Sequence, residues 1–238
     1  IDEILIENDF KINPKFNFSL IVPDKNMQIK YLEQYEQEKN ILYQNYIKQF
    51  KRYPFEYMDL YEINNLLYDY NINYFDNDFI HSDEALINNI KKNELNYIIH
   101  WRRPQYFLTP NQAGGNINYN KFKRFSRNDS PMINDIKQGL FPTNTLDCVL
   151  NALTEKNNLI TRLIKNKNIN KNGIYKIKLC IKGEWVTVII DDYFPCLPFS
   201  NPIVSSTYSN DLWVLFIQKA LAKSFGKSKI GRASCRER

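Results

Sequence analysis

The sequence predicts an α+β fold, on three observations. The stretch GIYKIKLCIKGEWVTVIIDDYFP, Gly173 to Pro195, alternates apolar and polar residues, turns at Lys182-Gly183 and returns as a β-branched strand. That is the pattern of an antiparallel hairpin with one packed face. The stretch NDLWVLFIQKALAKSFG sets Leu212, Trp213, Phe216, Ile217, Ala220 and Leu221 on one helical face, with Asn210 or Asp211 as N-cap and Gly226 as the stop. Met27 to Phe50 spaces Tyr31, Leu32, Tyr35, Ile41, Leu42, Tyr46 and Phe50 in the same way, and Pro54 ends that helix.

The remaining elements follow in chain order. Residues 1–96, rich in Tyr, Asn and acids, are read as a mostly helical region of unknown role. Within them Asp76, Asp78, Asp83 and Glu84 cluster without the spacing or Gly of a calcium loop and are read as a solvated acidic face. NYIIHWRRPQ, Asn96 to Gln105, is a short strand stopped by Pro104, with Arg102 and Arg103 able to pair with acids across the domain. An Asn/Gly loop follows, then KFKRFSR, whose Phe residues interleave with Lys and Arg and which is read as a solvated loop. Val149, Leu153, Leu159, Ile160, Leu163 and Ile164 fit one helix, capped by Asp147 or Thr145. Trp185 and Trp213 are read as core anchors, Cys180 as a small packing residue, and Asp191-Asp192 as a strand end that orders the next turn.

Composition bounds the function. With 43% hydrophobic and 14% aromatic residues, the 238-residue chain is not a disordered segment. Its last residues, 229–238, carry none of the 31 asparagines and read like a translated sequencing adapter, so they are set aside. Lys229, Arg232, Arg236 and Arg238 less Glu237 contribute +3 of the net +6. The +3 that remains implies no nucleic-acid partner, and no run approaches the ~18 apolar residues of a membrane span. Cys148, Cys180 and Cys196 form an odd set without CxxC spacing, which argues against a zinc site or disulfide framework and for a reducing, cytoplasmic home.

Cys148 carries the chemical question. In QGLFPTNTLDCVLNAL it stands between a turn-rich segment and an apolar helix. A thiol at a helix start meets the positive end of the peptide dipoles, which favours the thiolate nucleophile. Attack on a carbonyl then needs oxyanion donors, for which the Cys148 backbone N–H and the Gln138 side-chain amide are the candidates. A base is missing after Cys148: the two histidines, His81 and His100, both precede it.

Five blocks, IIHWRRPQ, NDIKQG, LDCVLNAL, GIYKIKLCIKGEWVTVIIDDYFP and NDLWVLFIQKALAKSFG, occur in the order of the first half of the calpain protease core. Over about Tyr97 to Gly226 the chain resembles the calpain family. The resemblance implies a calcium-dependent cysteine endopeptidase of papain-like fold acting on cytosolic proteins, residues 97–228 being its helical first subdomain. It matches Cys148 to the nucleophile, Gln138 to the oxyanion glutamine and Asp135 to an acid of the calcium site. The matching His and Asn belong to a downstream lobe, after Gly226, so the chain alone is expected not to turn over substrate. Five features depart from the family pattern. Eight residues rather than four separate the Gln-Gly pair from Cys148, and Leu146 and Val149 stand for the family's Gly and Trp. Gln218 stands for a Glu and Ile133 for an Arg. These departures keep open a second reading, a calpain-like scaffold or binding module that does not cleave.

Overall fold

The computed structural model describes residues 25–50, 58–79, 81, 99–104, 107, 131, 133–139, 143–156, 159–166, 168–196, 202–208 and 211–225. Along the chain run helices α1 (Lys25–Phe50) and α2 (Leu60–Asp69), strands β1 (His100–Arg102) and β2 (Ile136–Lys137), and helices α3 (Asn144–Thr154) and α4 (Leu159–Leu163). The hairpin β3 (Ile174–Ile181) and β4 (Glu184–Asp191) follows, then β5 (Phe194–Cys196), β6 (Ser206–Thr207) and helix α5 (Trp213–Ser224). Among the described residues, helices with three two-stranded antiparallel sheets, β1–β5, β2–β6 and β3–β4, make an α+β fold. No helix among the described residues is long and apolar enough to cross a membrane.

Helix α5 is central. Its side chains from Trp213 to Ala220 are all buried, and it lies on the hairpin with Phe216 stacked on Tyr175 at 4.0 Å between ring centroids. The hairpin register runs from Ile174 opposite Asp191 to Ile181 opposite Glu184. Its turn residues Lys182 (φ 53°) and Gly183 (φ 87°) both have positive φ, the two-residue turn whose twist matches that of the strands.

Several expectations need correction. Trp185 is 60% exposed, with Lys178 Nζ 5.2 Å from its ring centroid, and Cys180, opposite it in the register, is also exposed. Residues 184–187 are all exposed whereas Ile189, Ile190 and Asp191 are buried, so burial varies along the hairpin as well as across it. Alternation identifies a face, not how far the covering layer reaches. The helix expected over 149–164 is two, and its N-cap is Thr143 rather than Asp147 or Thr145. The N-cap of α5 is Leu212, without a side-chain cap, instead of Asn210 or Asp211. In α1, Tyr46 and Phe50 are buried but Ile41 and Leu42 are exposed.

Of the acids read as a solvated face, Asp78 is exposed but Asp76 is buried, beside the buried Asp191. Asp191, at the end of β4, accepts from the Asp76 backbone N–H (2.8 Å) and lies 2.8 Å from His81 Nε2. Its other oxygen accepts from the Tyr193 N–H (3.0 Å) and from Lys219 Nζ. Burial alone would raise the Asp191 carboxyl; His81 and Lys219 outweigh it and hold the group well below the usual carboxylate range. Lys219 Nζ also donates to the Tyr193 carbonyl (2.6 Å) and faces the Phe79, Trp101 and Phe194 rings at 5.5–5.7 Å. Lys223 Nζ pairs with both Asp76 oxygens (2.7 and 2.9 Å) and donates to the Ile189 carbonyl (2.8 Å). Asp83, Glu84 and KFKRFSR lie outside the described residues.

Arg103 finds the acid expected of it: Nε and Nη2 reach the two Asp192 oxygens at 2.7 and 3.1 Å. Residues 58–79 share this core. The Tyr74 N–H donates to the Asn172 carbonyl (2.8 Å), Asn170 Nδ2 to Asn64 (2.6 Å) and Lys176 Nζ to the Met58 carbonyl (2.5 Å). Helix α1 is tied to β1 through Glu36, which lies 3.3 Å from His100 Nδ1 and 2.7 Å from Lys39 Nζ.

Two outcomes follow for stability. Lys219→Met leaves the buried Asp191 without its ammonium and is expected to cost about 3–5 kcal/mol in urea melts. Partial burial pushes the Glu36 carboxyl up, but hydrogen bonds from His100 and Lys39 bring it down to about 2 from the ordinary 4.5. Because the folded value is depressed, Glu36 stabilises above pH 4.5 and that contribution is lost as pH falls towards 2. Thermal melts of wild type and Glu36→Gln are therefore expected to converge over that window.

Candidate active site

The candidate nucleophile sits on α3. The first hydrogen bond of this helix runs from the Asp147 N–H to the Thr143 carbonyl (2.9 Å), so the Cys148 N–H comes next in the ladder, against the Asn144 carbonyl. Cys148 is thus one turn inside the helix rather than at its start, with an exposed thiol. The N–H groups that precede the ladder are those of Thr143, Asn144, Thr145 and Leu146. Four of the eight residues between Gly139 and Cys148, Asn144 to Asp147, are that first helical turn.

Gln138 leaves the end of β2. This strand pairs with β6, Ile136 opposite Thr207 and Lys137 opposite Ser206. The exposed Gln138 side chain donates from Nε2 to Asn144 Oδ1 at 2.5 Å. Asn144 precedes Cys148 by four residues and so lies on the same helical face, one turn below it. Gln138 and Cys148 therefore meet the same face at the same end of α3. Gly139 has no room for a side chain: a Cβ there would run into the Ile203 carbonyl and the Val204 backbone. Asp135 is buried, and its carbonyl accepts from the Tyr208 N–H (3.0 Å) just after β6.

Below Cys148 lies a polar cluster that sequence reasoning missed. The buried Asp147 carboxylate accepts from Thr143 Oγ1 (2.8 Å), Ser205 Oγ (2.8 Å) and, at 3.5 Å, Gln218 Nε2. Burial pushes the Asp147 carboxyl up, against the hydrogen bonds from Ser205, Thr143 and Gln218 that pull it down. The Asp147–Ser205 contact spans 58 residues of sequence, and no local pattern encodes it.

Calcium requires six to eight oxygens. Asp135 offers a carboxylate, and the Gln218 Oε1 is a buried oxygen without a hydrogen-bond partner, so both fit as oxygen ligands in kind. Among the described residues no group of three or more His, Cys, Asp or Glu could hold a metal ion.

A thiol on a helix whose first turn, at Asn144, is bonded by a glutamine amide is a pairing suited to acyl transfer. Residues 74–233 match the model of the calpain family cysteine proteases, and the chain belongs to that family. It is 30% identical over 154 residues to the calpain-type cysteine protease DEK1 of Arabidopsis thaliana, covering 63% of the chain and 7% of that relative. Against the human calpain-1 catalytic subunit it is 29% identical over 133 residues, 55% of the chain and 17% of the relative. Calpain-A of Drosophila melanogaster is 33% identical over 95 residues, 39% of the chain and 12% of the relative. The chain thus spans less than a fifth of the length of each of these relatives.

Proposed function

We propose that this chain is the cysteine-bearing part of a papain-like calpain endopeptidase that cleaves proteins in the cytoplasm. The observation that carries the proposal is the Gln138 amide bonded one turn below the exposed Cys148, on the same helical face. In this reading a His of a downstream lobe, oriented by an Asn, takes the Cys148 proton. The sulfur then bonds to the scissile carbonyl carbon, and Gln138 turns from Asn144 to donate to the oxyanion. The C–N bond breaks as the His returns the proton to the leaving amine, and water hydrolyses the thioester. In this reading Cys148 and Gln138 supply the nucleophile and a donor, and the downstream lobe supplies the base.

One observation favours the scaffold reading: the Cys148 N–H is engaged in the helix ladder, which takes away one of the two expected oxyanion donors. Kinetics on the full-length protein with a fluorogenic peptide separate the two readings. For the protease, Cys148→Ala brings activity to background and Gln138→Ala lowers kcat about 100- to 1,000-fold. A wild type no faster than Cys148→Ala leaves the scaffold reading standing.

Calcium regulation is the finer part of the proposal, with Asp135 and the Gln218 carbonyl contributing oxygens to the ion. Calcium would fix the relative position of the elements that carry these oxygens. Chelation with EGTA is expected to abolish full-length activity, and Asp135→Asn to raise the calcium concentration for half-maximal activity about tenfold or more. Activity unchanged by EGTA would remove calcium from the proposal.

A further inference from the structure

We propose that Ser205 is a positioning residue that holds the Gln138 segment and the Cys148 helix at a fixed separation. The inference rests on the protease reading for its catalytic meaning, but its geometry is independent of turnover. Ser205 is fully buried, and its single hydroxyl oxygen touches both ends of the stretch between the two candidate residues. On one side the Gly139 N–H donates to it at 3.4 Å, next to Gln138. On the other it donates to Asp147 Oδ2 at 2.8 Å, next to Cys148, and lies 2.5 Å from Oγ1 of Thr143, the helix N-cap.

The backbone around Ser205 is itself fixed, which makes it a suitable reference point. The Ile203 N–H donates to the Pro195 carbonyl (2.9 Å), and Ser206 and Thr207 are the rungs that pair with β2. Gly139 packs against the Ile203 and Val204 backbone so closely that no side chain is tolerated. Residues 203–207 therefore act as a rail carrying both the strand end before Gln138 and the first turn before Cys148. The extra residues between Gln138 and Cys148 join two points that are already tied to this rail, so their number does not set the separation.

The test uses the ¹⁵N-labelled chain, with the Gln138 side-chain amide resonance assigned by its loss in Gln138→Ala. Ser205→Ala is expected to move that resonance towards the position of free glutamine, whereas Ser205→Thr, which keeps the hydroxyl, leaves it in place. In the full-length protein Ser205→Ala is expected to lower kcat about 10- to 100-fold with KM within about twofold, and Ser205→Thr to restore kcat. If Ser205→Ala does not fold, Thr143→Val, which removes the hydroxyl across the same contact, is expected to move the same resonance. A Gln138 resonance unmoved by Ser205→Ala overturns the proposal, as does one moved equally by Ser205→Thr, or an unchanged kcat in an active protein. A full-length protein no faster than Cys148→Ala overturns the protease reading instead, while the resonance still decides whether Ser205 holds Gln138.

Discussion

The Asp191 carboxylate is where the architecture is joined. A buried carboxylate is tolerable only when its oxygens are fully paired. Here the donors come from four places in sequence: the Asp76 amide, His81, the Tyr193 amide and Lys219. One group thus fastens the end of β4, the central helix α5, the turn before β5 and the segment after α2. The cost of leaving it unpaired is what makes these elements cooperate. The neighbouring Arg103–Asp192 pair repeats the arrangement, tying the end of β1 to the same turn. Apolar packing, led by α5 on the hairpin, supplies bulk stabilisation but is far less particular about which residue meets which.

The candidate site is built outward from that junction. The turn after Asp191 leads through β5 to residues 202–208, which pair with β2 and approach α3 through Ser205. Gln138 and Cys148 are consequently positioned by a segment that follows them by more than fifty residues. A thiol on a helix and an amide on a strand end can be brought together only by something rigid that touches both. With one helical turn before Cys148, the N–H that a helix-start cysteine would offer is used in the backbone ladder.

Periodicity made the regular elements legible. The alternation in IYKIKLCI and the β-branched WVTVII report a packed and an open face, and both strands are found, with the turn at Lys182-Gly183. The apolar stripe of α5 is equally plain because the helix is buried over most of its length. Two kinds of information were not legible. One is extent: the break between α3 and α4 and the exposure of Trp185 depend on where neighbouring layers stop, which lies outside the element itself. The other is polar pairing at long range. Asp76 reads locally as one acid among several, and only the fold brings Lys223, 147 residues later, against it. Ser205 was invisible for the same reason. Cys148, Gln138 and Asp135 were singled out because short motifs carry them, and the motif said nothing about the helical turn that precedes the cysteine.

The exposed tip of the hairpin has a spectroscopic corollary. Of the three tryptophans, Trp101 and Trp213 are enclosed in the core while Trp185 stands in solvent beneath a lysine ammonium. Their emission should separate into a blue, shielded component and a red one open to iodide. The chain carries a native optical probe at the turn end of the β3–β4 hairpin, and anything that settles on that end would announce itself as a change in collisional quenching.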